Sequence, residues 1–178
     1  MNQHIGVDAA TWGITYVILE MPEQRIVKIG EVDVTARDQT ATNRLKLLSQ
    51  ALQNEMENYT ALRGVYIEQQ PQFSSRAKQM AYWTGAWFSS KGCDVRYVRA
   101  QDKYKGQFDC FDMGRLTGES AYKRKRAARL WMEKRLPLAV EEGAVIKVNR
   151  SRMADVGDCV AIAISGYSHG QQDDVQYE

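Results

Sequence analysis

The sequence SRMADVGDCVAIAISG, residues 151–166, places two aspartates directly before an uninterrupted apolar run. We interpret it as a helix, with Ser151 as the N-cap residue and Gly166 as its C-terminal end. Asp155 and Asp158 lie three residues apart, so they share one face of the helix near its start. Two carboxylates on one face of a buried helix repel each other, which favours a bound cation. The alternative is that both aspartates face water and interact favourably with the helix dipole.

Length and composition are typical of one soluble domain, which we place at residues 1–166, followed by a disordered polar tail at 167–178. The chain has 178 residues, 44% hydrophobic and 26% charged. It has neither an apolar run of about 18 residues nor a signal pattern, so we expect an intracellular protein without a membrane partner. The expected location is the cytoplasm. Three cysteines without zinc-motif spacing and two histidines exclude a zinc site built on these residues.

The distribution of charge is more informative than the net charge of +2. The segment 91–135 carries thirteen Lys or Arg residues against six Asp or Glu residues, so the rest of the chain is net acidic. A basic segment combined with a few isolated acids suits a polyanionic partner that is approached through a cation.

Hydrophobic periodicity predicts an α/β fold with a five-stranded mixed sheet and helices on both faces. The predicted strands are 4–8, 13–20, 25–34, 64–68 and 94–98, and the predicted helices are 41–59, 75–90, 120–136 and 151–166. The stretch 101–119 has no clear period and predicts a surface loop. The stretch 138–149 is ambiguous, with a short extended piece at 144–148.

Apolar spacing predicts which side of each helix faces the core. In the first helix the inward positions are Leu45, Leu48, Leu52 and Met56. In the third helix the inward positions include Leu130, and we expect Pro137 to follow the end of the helix. Trp83 and Trp87 on the second helix are either core or dimer-interface residues.

Four acids lie at positions that the predicted fold brings together. Asp8 ends the first strand and Glu68 ends the fourth, so the two meet if these strands are neighbours. The helix that carries Asp155 and Asp158 can pack across the same edge. Oxygen-only ligands favour Mg²⁺ or Mn²⁺ over Zn²⁺. Two such ions about 4 Å apart can activate a water and stabilise the leaving oxygen of a phosphodiester.

The segments Gly6-Val7-Asp8, Ile67-Glu68-Gln69 and 154–164 resemble the three motifs of the RuvC-type Holliday junction resolvases, in the order of that family. The resemblance covers residues 3–166. It implies an RNase H-like fold and a homodimer that cuts four-way DNA junctions symmetrically with Mg²⁺, for which Mn²⁺ can substitute. The catalytic metal ligands that it implies are Asp8, Glu68, Asp155 and Asp158. It also implies a lysine near the scissile phosphate, for which Lys105 is the first candidate and Lys103 the second.

A second likeness is to the poxvirus branch of these resolvases. Lys105-Gly106 and the basic segment 122–126 are similar to its lysine-glycine and tyrosine-plus-basic segments, with about fifteen additional residues, 107–121, between them. The sequence leaves the source open between a poxvirus, another large DNA virus, a phage and a bacterium. If the source is viral, the expected location is the cytoplasm of the host or virus-infected cell.

Further residues are candidates for contact with branched double-stranded DNA. An aromatic side chain at Phe73 can stack on an unpaired base or, alternatively, pack as a hydrophobic staple. The basic candidates for phosphate contacts are Arg76, Lys78, Lys103, Lys105, Lys123, Arg124, Lys125 and Arg126. For 123–126 the alternative is a solvated helix face.

The main functional hypothesis is a metal-dependent endonuclease that resolves Holliday junctions and other branched DNA. One alternative keeps the fold but changes the substrate to flaps, RNA–DNA hybrids or replication debris. A second alternative is a non-catalytic protein that binds branched DNA.

Overall fold

The computed structural model describes residues 2–35, 40–103 and 121–175. Its regular elements are β1 (Gln3–Ala9), β2 (Gly13–Glu20), β3 (Arg25–Asp33), α1 (Ala41–Met56), β4 (Leu62–Gln69), α2 (Ser75–Ser90), β5 (Asp94–Arg99), α3 (Ala121–Glu141), β6 (Val145–Lys147) and α4 (Met153–Val175). Among the described residues no helix is long and apolar enough to cross a membrane.

The strands form one mixed sheet in the order β5-β4-β1-β2-β3-β6. The first three strands are an antiparallel meander, and β4 lies parallel to β1 on its other side. The α/β class and the mixed sheet are confirmed, but the predicted count of five strands is wrong for the described part of the chain. The sixth strand, β6, pairs with β3 from Lys28 to Gly30. Three residues are too few to show a period, so pattern alone left this piece ambiguous.

The sheet is buried on both faces, as predicted. On one face, α1 and α2 pack over a core that includes Ile5, Val7 and Leu52. On the other, α3 and α4 pack over a core that includes Val17 and Ile162. Alternate residues of each strand therefore enter different cores.

The inward face of α1 is shifted from the predicted one. Leu48, Leu52 and Met56 are buried, but Leu45 is 39% exposed and Arg44 takes the inner position instead. Residues 44, 48, 52 and 56 follow each other at intervals of four, so they form one row along the helix. The long aliphatic stem of Arg44 can cover apolar surface, which is why an arginine is tolerated there.

The third helix differs from the prediction at two points. Pro137 lies inside α3, which continues to Glu141 rather than ending before the proline. Ala139 is buried in the core beside α4, and this packing offsets the hydrogen bond that proline removes. Leu130 is 44% exposed, whereas its neighbours Trp131 and Met132 are buried.

The fourth helix begins and ends differently from the prediction. A 3₁₀ turn, Arg150–Arg152, precedes it, and Ser151 is not its N-cap because its backbone N–H and hydroxyl donate to the side chain of Asn149. Gly166 does not end the helix, because α4 continues to Val175. A Cβ on Gly166 would lie 2.1 Å from the ring of Tyr66. This glycine therefore permits close packing and is not a helix stop.

Candidate active site

Asp8 and Glu68 meet at the carboxyl ends of two neighbouring strands. The parallel pairing of β1 with β4 places Val7 opposite Ile67, and the next residue on each strand is an acid. Glu68 is part-buried and its neighbour Ile67 is completely buried. The predicted adjacency of the first and fourth strands is therefore confirmed.

A glycine on β1 brings α4 onto this end of the sheet. A Cβ on Gly6 would lie only 1.9 Å from the carbonyl oxygen of Cys159, so only glycine allows the helix to approach so closely. The Cys159 thiol donates to the carbonyl oxygen of Thr15 on β2 at 3.1 Å. These two contacts fix the first turns of α4 and carry Asp158 to the strand ends.

Lys103 lies between Glu68 on β4 and Asp158 on α4. Its ammonium group is 3.0 Å from Asp158 and 3.3 Å from each carboxylate oxygen of Glu68. The side chain of Asp158 is 3% exposed and that of Lys103 is 11% exposed. The alternative that both aspartates of α4 face water is therefore wrong for Asp158, while Asp155 stays part-exposed.

The acids act on one another electrostatically. Burial, followed by repulsion from Glu68 and Asp158, raises the pKa of Asp8 to about 8. Burial also raises the pKa of Glu68, against the lowering effect of Lys103. For Lys103, burial alone lowers the pKa, but Asp158 and Glu68 outweigh it and raise the pKa overall. Asp155 is a further contributor to the raised pKa of Asp8, so all four predicted acids belong to one group, which we call the acidic cluster.

The acidic cluster fits a divalent ion by its chemistry. Its donors are carboxylate oxygens, and after burial, repulsion from Glu68, Asp158 and Asp155 raises the pKa of Asp8 against the lowering effect of Lys103. In this structure the ammonium group of Lys103 lies within the acidic cluster. Within residues 2–35, 40–103 and 121–175, no three His, Cys, Asp or Glu side chains are arranged to hold a metal ion. Mg²⁺ or Mn²⁺ binding therefore stays a prediction.

The segment that carries Lys103 is anchored to α4. The Ser165 hydroxyl donates to the carbonyl oxygen of Asp102 at 2.7 Å, and Arg99 forms an ion pair with Asp102 at 2.5 Å. Ser165 belongs to the helix that carries Asp158, so one helix positions both partners of the Lys103–Asp158 ion pair. The sequence pattern did not indicate Ser165, because a lone serine in an apolar run has no distinctive spacing.

The predicted DNA-contact residues lie at several places. Phe73 is 91% exposed on the loop between β4 and α2, and Arg76 and Lys78 lie in the first turns of α2. Lys123 and Arg126 are exposed on α3. Three further candidates lie outside what the structure describes: Lys105 entirely, and the side chains of Arg124 and Lys125.

Two aromatic candidates on α2 pack inward. Trp83 and Trp87 are both part-buried against the core beneath α1 and α2. This is consistent with the core interpretation, and a dimer interface at these residues stays a prediction.

Sequence reasoning missed Trp12 and Arg152, which lie beside the acidic cluster. The Arg152 guanidinium carbon is 4.1 Å from the centroid of the Trp12 ring, and one of its nitrogens is 3.5 Å from Asp155. Arg152 stands three residues before Asp155, so its position in the sequence was a usable signal. The partner Trp12 could not be inferred, because it comes from the turn between β1 and β2.

Solved structures match the chain, whereas no family model and no curated protein sequence does. Thermus thermophilus RuvC matches with a TM-score of 0.63 and 12% identity, over 96% of this chain and 96% of that chain. T. thermophilus RuvC in complex with a Holliday junction substrate gives a TM-score of 0.60 and 13% identity over 97% and 96%. The chain has the RuvC-type, RNase H-like fold.

A third structure with the RuvC-type fold is the yeast mitochondrial Holliday junction resolvase Ydc2. It matches with a TM-score of 0.56 and 9% identity, over 98% of this chain and 85% of that chain. These matches confirm the predicted fold from end to end of the described chain. They come from a bacterium and from yeast mitochondria, so the likeness to viral resolvases is left without support.

Proposed function

We propose that this chain is a divalent-metal-dependent endonuclease that cuts four-way (Holliday) junctions and other branched DNA. The observation that carries the proposal is the acidic cluster of Asp8, Glu68, Asp155 and Asp158 at the carboxyl ends of β1 and β4. Two structural neighbours, RuvC in complex with its junction substrate and Ydc2, are Holliday junction proteins of the same fold. The fold alone hosts other chemistry, so the argument rests on the acids.

The four carboxylates would hold the metal ions, with Asp8 and Glu68 supplied by the sheet and Asp155 and Asp158 by α4. When bound, Mg²⁺ supplies an activated water and neutralises charge on the phosphodiester, and Mn²⁺ can substitute. Lys103 would add a positive charge at the same place, where it can face a scissile phosphate. We retain Lys105 as a second candidate for this role.

Contacts to DNA would come from both sides of the acidic cluster. Phe73 is almost fully exposed on the loop that follows Glu68, so its ring is available to stack on an unpaired base at the junction centre. Arg76 and Lys78 follow on α2, and Lys123 to Arg126 provide a basic stretch on α3. Phosphate contacts of this kind give affinity and salt dependence rather than sequence specificity. Two symmetric cuts need two active sites, so we propose a homodimer.

The experiment compares four labelled substrates in Mg²⁺: a four-way junction, a flap, a nicked duplex and an RNA–DNA hybrid. We expect paired symmetric nicks in the junction and no cleavage by the Asp155→Asn variant, which should still bind the junction. Preferred cleavage of the flap or the hybrid would assign the site to a different nuclease activity. Junction binding without cleavage of any substrate would indicate a non-catalytic binding protein.

A further inference from the structure

A cleft of about 350 Å³ opens beside the acidic cluster. Asp8 and Asp155 form one wall, and the turn between β1 and β2 forms another. Its remaining lining includes Gln70, Ser74 and Arg152. This volume lies at the lower end of the range of about 300–1,000 Å³ for small-molecule sites, which is enough for part of one nucleotide.

The side chain of Arg152 is held against an aromatic ring in this cleft. Its guanidinium carbon lies 4.1 Å from the centroid of the Trp12 ring, within the range of a cation–π contact. The side chain is nevertheless 37% exposed, so it is accessible to a ligand. Stacking orients the planar guanidinium group, which lowers the entropy that the side chain loses when it binds an anion.

The contact between Arg152 and Asp155 does not use the full capacity of the guanidinium group. The two side chains are 3.5 Å apart, longer than the roughly 2.7–2.9 Å of a charge-assisted hydrogen bond. A guanidinium group has five N–H donors, and one such ion pair engages at most two of them. The group can therefore bind the oxygens of a phosphate while it stays beside Asp155.

We propose that Arg152, oriented by Trp12, binds a backbone phosphate adjacent to the scissile one on the strand that is cut. This inference rests on the proposed function. The acidic cluster repels DNA phosphates, and Arg152 places a positive charge directly on the cleft side of that cluster. It acts as a positioning residue, since it holds the strand in register with Asp8 and Asp155 rather than contacting the reacting atoms.

The test measures junction binding in EDTA over a series of salt concentrations, so it does not depend on cleavage. The Arg152→Met variant should bind more weakly, and the slope of log K against log salt should fall in magnitude by about 0.9, the value for one phosphate contact. The Arg152→Lys variant keeps the charge and should keep the slope. The matched control is Arg25→Met, which removes an arginine that is ion-paired with Glu20 at the opposite end of β2 and should leave the slope unchanged.

A second measurement locates the phosphate. Neutral methylphosphonates are placed one at a time at successive positions around the crossover. At the contacted position, the substitution should weaken binding by the wild-type protein but not by Arg152→Met. An unchanged salt slope in Arg152→Met, or equal methylphosphonate penalties in both proteins at every position, would overturn the proposal.

The outcomes separate this inference from the proposed function. Arg152-dependent binding without cleavage in Mg²⁺ would keep the phosphate contact and reject the nuclease. Junction cleavage together with a wild-type slope in Arg152→Met would reject the phosphate contact and keep the nuclease. A folded protein that binds no DNA would reject both.

Discussion

Two buried lysines in this protein lie in opposite electrostatic surroundings. Lys28 on β3 contacts one carboxylate, Glu55, at 2.6 Å, and that carboxylate also accepts from the Tyr16 hydroxyl at 2.7 Å. Although burial acts to raise the pKa of Glu55, the hydrogen bonds from Lys28 and Tyr16 outweigh it and lower that pKa. Lys103 instead contacts two carboxylates, Glu68 and Asp158, and lies close enough to Asp8 to interact with it electrostatically. In that cluster the pKa of Asp8 is raised to about 8.

The comparison distinguishes an ion pair with enough positive charge from a cluster in which acids outnumber the lysine. At Glu55 two lysines, Lys28 at 2.6 Å and Lys147 at 3.6 Å, face one carboxylate, so no negative charge is left in excess. At Asp8 burial and repulsion from three carboxylates raise the pKa against the effect of one lysine. We therefore predict that the acidic cluster destabilises the fold and that a bound cation relieves this cost. A buried lysine–carboxylate contact is therefore not by itself a sign of a functional site, and the balance of charge around the contact has to be compared.

The largest expected effect is on DNA cleavage, which should require the acidic cluster but not the Lys28–Glu55 ion pair. Asp8→Asn should reduce junction cleavage by about 10³-fold or more, because a ligand of the metal and its charge are lost. Glu55→Gln should leave the cleavage rate unchanged but destabilise the fold, because Lys28 loses its charged partner. Single-turnover kinetics and urea unfolding measure the two properties. Equal losses of cleavage activity in Asp8→Asn and Glu55→Gln would contradict the distinction between the acidic cluster and the Lys28–Glu55 ion pair.

The pH dependence of stability should differ between the two groups. The pKa of Asp8 is raised from 3.8 to about 8, so folding penalises its ionised form. The free energy of unfolding in EDTA should therefore decrease as pH rises from about 4 to about 8. Asp8→Asn should flatten this decrease, and Mg²⁺ should reverse it in the wild-type protein.

Glu55 predicts the opposite trend. Its pKa is lowered from 4.5, so its stabilising contribution is present above that pH and is lost as pH falls below it. Glu55→Gln should consequently cost stability at neutral pH and little in acid. For Asp8, the contradicting result is a free energy of unfolding in EDTA that stays constant between pH 4 and pH 8 in both the wild-type protein and Asp8→Asn. That result would contradict the raised pKa of Asp8.

The position of α4 should determine whether the acidic cluster forms. Gly6→Ala places a Cβ 1.9 Å from the carbonyl oxygen of Cys159 and should cost about 1–3 kcal/mol with a parallel loss of cleavage. Gly92→Ala is the control, since that glycine has a positive φ of +82° but no atom within 4 Å of a Cβ. It should cost about 1 kcal/mol without an effect on cleavage. Thermal unfolding measures the stability of the two variants, and a junction cleavage assay measures their activity. Cleavage at the wild-type rate by Gly6→Ala would show that the close approach of α4 to β1 is not needed for an active cluster.

The smallest expected effect concerns competition between Lys103 and a metal ion. Lys103→Met should bind Mn²⁺ at least about tenfold more tightly in calorimetry without DNA, since a hydrogen bond to a charged group contributes about 1.5–3 kcal/mol. Lys28→Met is the matched control and should change stability but not Mn²⁺ affinity. Weaker Mn²⁺ binding by Lys103→Met would show that the ammonium group supports the metal site instead of competing with it.

The sequence predicted the elements that have strong local patterns. The strand ends at Asp8 and Glu68 and the Asp155–Asp158 spacing were enough to predict one acidic site, because parallel strands bring their carboxyl ends together. The fold class followed from alternation along the strands and the period of the helices. The first five strands, α1 and α2 begin and end within three residues of their predicted bounds, whereas α3 and α4 continue beyond their predicted ends.

The remaining features depend on tertiary contacts that no local pattern encodes. Glycine is the residue type that most often ends a helix, but Gly166 lies against the Tyr66 ring, and α4 continues beyond it. Proline usually marks the end of a helix, but Pro137 lies within α3. Lys103 was only the second candidate, since its ion pairs with Glu68 and Asp158 join residues far apart in sequence.

Single-turnover cleavage of an end-labelled four-way junction, measured as Mg²⁺ is increased from zero, tests the central claim most directly. We predict no cleavage in EDTA and paired symmetric nicks whose rate rises with Mg²⁺ and then saturates. Cleavage at the same rate in EDTA would contradict a metal-dependent acidic cluster. So would the absence of cleavage at every Mg²⁺ and Mn²⁺ concentration by protein that is folded and binds the junction.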